Sequence, residues 1–150
     1  MAEQIVSASR VIKAPPAAIF DVLADPARHS EIDGSGMVQG QRGESQRLAL
    51  GSKFGMDMKM GVVPYRLTNT VVEFEEDRLI AWQHFGKHRW RYELEPTEAD
   101  GQPATKVTES FDWSTAMWPK GIELMGYPKQ HEKNIATTLE RLAAVVEPPA

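Results

Sequence analysis

The chain has 150 residues, 41% of them apolar and 25% charged, with a formal net charge of −4. That balance is ordinary for a globular protein, supplies no basic field for nucleic acid or an anionic membrane, and contains no apolar run near the roughly 18 residues of a spanning helix. With no cysteine, disulfides, thiolate nucleophiles and Cys-type metal sites are excluded.

Met1-Ala2-Glu3-Gln4 has neither a basic region nor an apolar core, so no signal peptide is expected. A reducing, cytoplasmic location is the default expectation. Residues 5–13, with Ile5, Val6, Val11 and Ile12, read as a first strand. Ala14-Pro15-Pro16 stops it, because proline cannot donate to a ladder. The same prolines suit the start of a short helix over 17–24, with Ile19, Phe20 and Leu23 on one face. Asp25-Pro26 caps a second short helix near 27–32, and Gly34-Ser35-Gly36 closes the pair.

From Met37 the period changes to two. Strands are predicted over 37–41, 53–60, 65–75, 79–85, 88–95 and 105–113, with a polar loop at 42–47. Short connections imply antiparallel neighbours. Trp118-Pro119 and Tyr127-Pro128 then break the chain. A long helix is expected from Pro128 to about Val146, with Ile135, Leu139, Leu142 and Val146 on one stripe beside His131. Residues 148–150 are expected to fray. The fold class predicted is α+β: a curved antiparallel sheet of six to seven strands around a long C-terminal helix, in one domain over 1–147.

Matching apolar partners across each hairpin sets an expected register. Ile80 faces Leu94, Trp82 faces Tyr92 and His84 faces Trp90. The flanking hairpins place Phe74 near Ile80, Val72 near Trp82, Val107 near Tyr92, Glu109 near Trp90 and Phe111 near His88. One face then carries Phe54, Met56, Met58, Trp82, Trp90, Tyr92, Phe111 and Trp113 among others. Such residues usually pack a core. Four Trp and seven Met in one small domain also suit the adaptable aromatic wall of an apolar ligand cavity.

His84, His88 and Glu109 interrupt that face. An inward carboxylate costs several kcal/mol unless paired or neutralised. Glu109 is either an acid/base or ligand anchor next to an imidazole, a fixed strut, or a residue turned to solvent by a bulge. His29 is expected to face solvent, and His131 to be a satisfied core histidine. The acidic run Glu73, Glu75, Glu76, Asp77 reads as a solvated hairpin tip. His84 and His88 are spaced His-x-x-x-His, but they flank a predicted hairpin loop and not a helix, and no phosphate loop or nucleophile elbow is present, so no metal or cofactor is expected.

The segment Ala14-Pro15-Pro16-Ala17-Ala18-Ile19-Phe20-Asp21-Val22-Leu23-Ala24-Asp25-Pro26 resembles the start of the SRPBCC, or START-like, proteins, which include a polyketide cyclase/dehydrase group. Arg78-Leu79-Ile80-Ala81-Trp82, Trp90-Arg91-Tyr92-Glu93-Leu94-Glu95 and Val107-Thr108-Glu109-Ser110-Phe111-Asp112-Trp113-Ser114 extend the resemblance over nearly the whole chain. It implies a helix-grip fold with a pocket for lipids, polyketides or similar ligands between sheet and helix. Some relatives are cyclases, some only carry ligands, and some act through protein partners. Fold alone does not choose among these.

The expected function is binding of a hydrophobic small molecule. Its walls would be Trp82, Trp90, Tyr92, Phe111 and Trp113, with Met56 and Met58 opposite, His88 nearby and Met125 at the mouth. Met125 lies in 118–127, a segment whose Gly121 and Gly126 suit an opening lid. Glu109 with His84 would orient a polar group of the ligand or, in the alternative, act as acid and base in cyclisation or dehydration. A third alternative is a protein-interaction module. The sequence expectation includes no nucleic acid and no membrane insertion, and leaves the oligomeric state open.

Overall fold

Period-two alternation through the middle of the chain produces a seven-stranded antiparallel sheet. The computed structural model describes residues 4–35, 37–42, 46–84 and 86–147. β1 (Ile5–Ile12) leads to α1 (Pro16–Leu23), a 3-10 turn (Pro26–Arg28) and α2 (His29–Ile32). β2 (Val38–Arg42), β3 (Lys53–Met60), β4 (Val63–Glu75), β5 (Leu79–Gln83), β6 (Arg89–Ala99) and β7 (Gln102–Asp112) follow, then α3 (Pro119–Leu124) and α4 (Tyr127–Val146). The spatial order β1-β7-β6-β5-β4-β3-β2 puts β1 and β2 at opposite edges. This is the helix-grip arrangement expected from the sequence. The expected fraying at 148–150, and Gly36 and Phe85, lie outside the described residues.

The stripe on α4 explains its docking. Ile135, Leu139 and Leu142 recur at helical spacing and are each no more than 2% exposed. Full burial of such side chains is worth roughly 1.5–3 kcal/mol apiece. The helix rests on β1, β7 and the three shorter helices. Gly34 permits the close approach of α2's trailing loop: a Cβ there would stand 2.4 Å from the Asn134 carbonyl oxygen. Its N–H donates to Thr138 Oγ1 at 2.8 Å. Asp25 caps the 3-10 turn as expected, accepting from the Ala27 N–H at 3.1 Å.

Three registers differ from expectation. In the β4–β5 pair Phe74 faces Ile80 as predicted, but Val71, not Val72, faces Trp82. A β-bulge leaves Val72 as the extra residue and reverses which side chains upstream point inward. Tyr65, Leu67 and Asn69 therefore stand opposite Met58, Met56 and Phe54 on the inner face.

In the β5–β6 pair Ile80 faces Tyr92 and Trp82 faces Trp90, two residues from the predicted pairing. The connecting loop is longer than supposed. It is closed by the Lys87 N–H on the His84 carbonyl at 2.9 Å, with Lys87 at φ 64.

In the β6–β7 pair Tyr92 faces Glu109, Trp90 faces Phe111 and Leu94 faces Val107. The turn decides this register. Asp100 and Gly101 are both left-handed, at φ 54 and φ 75, the conformation of a two-residue hairpin turn. Both strands thus run further than predicted, through Pro96 and Pro103. Pro96 lies beyond Leu79–Glu93, the last pair with β5. Its missing N–H falls on the side where the Leu94 N–H meets the Arg78 carbonyl, so no ladder bond to β5 is lost.

Candidate functional site

The strands place their inner aromatic and methionine side chains across from α4 without filling the space between. A cavity of about 540 Å³ results, a size suited to a small organic ligand. Of the side chains predicted to meet a ligand, Met56, Met58, Trp82, His84, His88, Trp90, Tyr92, Glu109 and Phe111 line it. Arg66 and Gln130, both exposed, also border it and mark a rim between β4 and α4.

Two expected wall residues are elsewhere. Trp113 is buried, but its indole N–H donates to Glu123 Oε1 at 2.9 Å and its ring stacks on Phe111 at 5.8 Å. It braces the wall from behind. Met125 is 63% exposed and caps α3, so it does not reach the cavity. Ile122, on the same helix, does. A six-residue helix, unforeseen within the expected lid segment, turns one residue in and the other out.

Sequence reasoning also missed contributors. His29, expected in solvent, is 6% exposed. Its Nε2 pairs with the Leu23 carbonyl at 2.8 Å, and its ring stacks on Trp82 at 4.8 Å. Burial pushes its pKa down. Asn69 and Leu67 line the cavity because of the bulge at Val72, which no residue type announces. His131 reaches it from α4, with its ring 4.5 Å from Phe111 and 4.9 Å from Trp90. The Asp100-Gly101 dipeptide was the readable signal for the true β6–β7 register, and with it for the residue that faces Glu109.

Glu109 is 3% exposed, and its Oε1 has no hydrogen-bond partner. Burial drives its pKa well above the usual carboxylate range, against an opposing hydrogen-bond contribution from the Tyr92 hydroxyl. The Tyr92 phenol is likewise pushed up, by burial first and by Glu109 second. The neighbour of Glu109 is therefore Tyr92, not the expected imidazole. His84 lies two residues past Trp82, at the level of His88, about 13 Å along the strand from Tyr92 at 3.3 Å per residue. There His84 and His88 meet at 4.4 Å between ring centroids. Burial lowers the pKa of His84 and takes His88 and His131 down to about 4.

The cavity thus has a buried carboxyl beside a phenol on its wall and, further along, a group of imidazoles whose charged form burial disfavours. Among the described residues no cluster of three His, Asp or Glu is placed to hold a metal ion. No helix among them is long and apolar enough to cross a membrane.

The model of the family described as polyketide cyclase / dehydrase and lipid transport matches residues 3–147. The chain belongs to this family. The uncharacterized protein Rv0088 of Mycobacterium tuberculosis is 39% identical over an alignment of 142 residues, the match covering 92% of this chain and 62% of that protein. The chain thus spans less than two thirds of the length of that relative. Among solved structures, the protein NE0264 from Nitrosomonas europaea aligns with a TM-score of 0.71 at 17% identity, covering 97% of this chain and 95% of that one. The AHSA1-like protein from Aeromonas hydrophila aligns at 0.61 and 16%, covering 93% and 94%. These likenesses show the fold. The family's description and the cavity together suggest a ligand-binding domain.

Proposed function

We propose that this family member binds a hydrophobic small molecule, lipid-like or polyketide-like, in the cavity between the sheet and α4. The observation that carries the reading is the buried Glu109 carboxyl, open at Oε1, in the wall of an otherwise aromatic and methionine-rich cavity of about 540 Å³. A plain core would fill such a space or satisfy such a group. Trp82, Trp90, Tyr92 and Phe111 supply apolar contact, and Glu109 orients the ligand's polar atom. Ile122 makes α3 the element to move when ligand enters.

Native mass spectrometry of freshly purified protein, followed by organic extraction, tests this directly. A stoichiometric apolar molecule is the expected result. An empty protein that also ignores a panel of apolar ligands overturns the reading. That outcome favours an interaction module, for which the exposed Met117, Trp118, Leu124 and Met125 around α3 are the natural surface.

A second reading, catalysis, is favoured by one observation: Glu109 lies buried opposite Tyr92, where burial pushes its pKa upward. An acid with a raised pKa in a largely apolar pocket is suited to donate a proton to a carbonyl during cyclisation or dehydration. His84 is too far along the strand to share that proton, so its role as base would act on the other end of a bound chain. Under this reading Glu109→Gln abolishes turnover of the extracted ligand while its affinity holds. Parallel loss of affinity alone leaves a binding protein.

A further inference from the structure

The cavity's polar groups are unbalanced in sign. Glu109 is buried in its wall. Asp33 also lines it, its carboxylate accepting from the Ser35 hydroxyl at 2.8 Å and the Val38 N–H at 3.1 Å. Among the described lining residues, the one permanent cation is Arg66, at the rim. Its side chain is 69% exposed and stands 3.8 Å from the Asp57 carboxylate. The histidines do not make up the deficit. His29 is committed to the Leu23 carbonyl, and burial disfavours the charged form of His84, His88 and His131.

An anionic head entering this space sheds its water, finds among the described lining residues no permanent counter-charge deeper than Arg66 at the rim, and approaches the Asp33 carboxylate. Such burial is strongly unfavourable. A neutral acceptor meets the opposite situation. Glu109 offers an oxygen without a protein partner, and a protonated carboxyl has a hydrogen to donate.

We propose that the cavity takes uncharged ligands that present a hydrogen-bond acceptor, such as a ketone, ester or ether oxygen, to Glu109, and rejects the corresponding carboxylates. The inference rests on the reading that the cavity binds an apolar molecule, and narrows that reading to a charge class and a polar group.

Three matched fluorescent probes separate the possibilities: a dimethylamino-naphthoate, its methyl ester, and the propyl-naphthalene counterpart that lacks the carbonyl. Titrated near neutral pH into the full chain, the ester is expected to bind at least about tenfold tighter than the carboxylate, as befits a buried charge left unpaired. Glu109→Leu is expected to weaken the ester about fivefold relative to the propyl probe, the worth of one net hydrogen bond. Glu109→Gln, which keeps a donor, retains most of the ester affinity. Glu109→Met serves if the leucine variant misfolds by circular dichroism.

A carboxylate that binds as well as the ester overturns the charge selection and leaves apolar binding standing. An equal effect of Glu109→Leu on ester and propyl probes overturns the role of the acceptor. Failure of all three probes removes the binding reading itself and this inference with it.

Discussion

Glu73 and Glu109 stand on opposite faces of one sheet and are treated in opposite ways. On the outer face Glu73 accepts from Arg91 at 2.7 Å and Arg89 at 2.9 Å. The Arg91 hydrogen bonds hold its carboxyl below the usual range, although partial burial pulls the other way. It is half-buried within a charge network that includes Asp112, not part of the solvated hairpin tip its acidic neighbours suggest. On the inner face Glu109 has a phenol for a neighbour and no arginine, and burial drives its pKa upward. Burial alone therefore does not set a carboxyl's state; the counter-charge supplied with it does. The outer pair closes upon itself and adds rigidity. The inner acid keeps bonding capacity for something that is not protein.

The contrast can be broken at several points. The largest effect belongs to the packed end of the inner face. Leu142→Ala, at a fully buried site, is expected to cost about 2–5 kcal/mol in urea unfolding. Trp90→Ala, at the half-buried cavity wall, is expected to lose less stability and to weaken binding of an apolar probe. Equal stability losses with unchanged binding would make the cavity wall ordinary core.

On the outer face, Arg91→Ala is expected to cost roughly 1.5–3 kcal/mol, the worth of hydrogen bonds to a charged group, less where solvent screens the pair. Glu73 has a depressed folded pKa. Its contribution is present above the unfolded carboxylate pKa of about 4.3 and is lost as pH falls through the folded value. The difference between Arg91→Ala and wild type is thus expected to shrink in acid, as thermal unfolding against pH will show.

Glu109→Gln is expected to act with the reverse sign. A raised folded pKa means that the fold favours the protonated acid, so wild-type stability declines as pH rises above the unfolded value of about 4.3. The glutamine variant lacks that decline and gains on wild type toward pH 7. Each kcal/mol recovered raises Tm by about 2–4 °C in a chain of this size. No gain would mean that Glu109 is paired as well as Glu73 is.

A further effect, confined to acid, is expected at His88. Its folded pKa of about 4 lies below the unfolded value near 6.5, so its contribution is intact above 6.5 and is lost as pH falls toward 4. His88→Phe is expected to flatten that window in the same thermal series.

Much of this arrangement was legible in the residues. Alternation through Phe54, Met56 and Met58 located β3, Pro16 and Pro128 marked two helix starts, and Ile135, Leu139 and Leu142 identified the face of α4. Glu109 could be picked out as an inward carboxyl because Val107 and Phe111 flank it at period two. Its partner could not be read with the same rule, because a slip of two residues leaves every side chain on its own face. Apolar matching accepted Tyr92 against Trp82 as readily as Trp90 against Trp82. Turn geometry broke the tie, at Asp100-Gly101 and in the loop closed by Lys87.

By itself, then, the sequence determined the order of elements and which residues face inward, since both follow from local periodicity that a short stretch of chain carries. Tertiary structure alone decided the bulge at Val72 that turns Asn69 inward and the burial of His29 against Trp82. It also decided that the inner faces of sheet and helix would stand apart around a cavity. The separation of two packed surfaces depends on sheet curvature and helix placement, quantities set by contacts distant in the chain and absent from any local pattern.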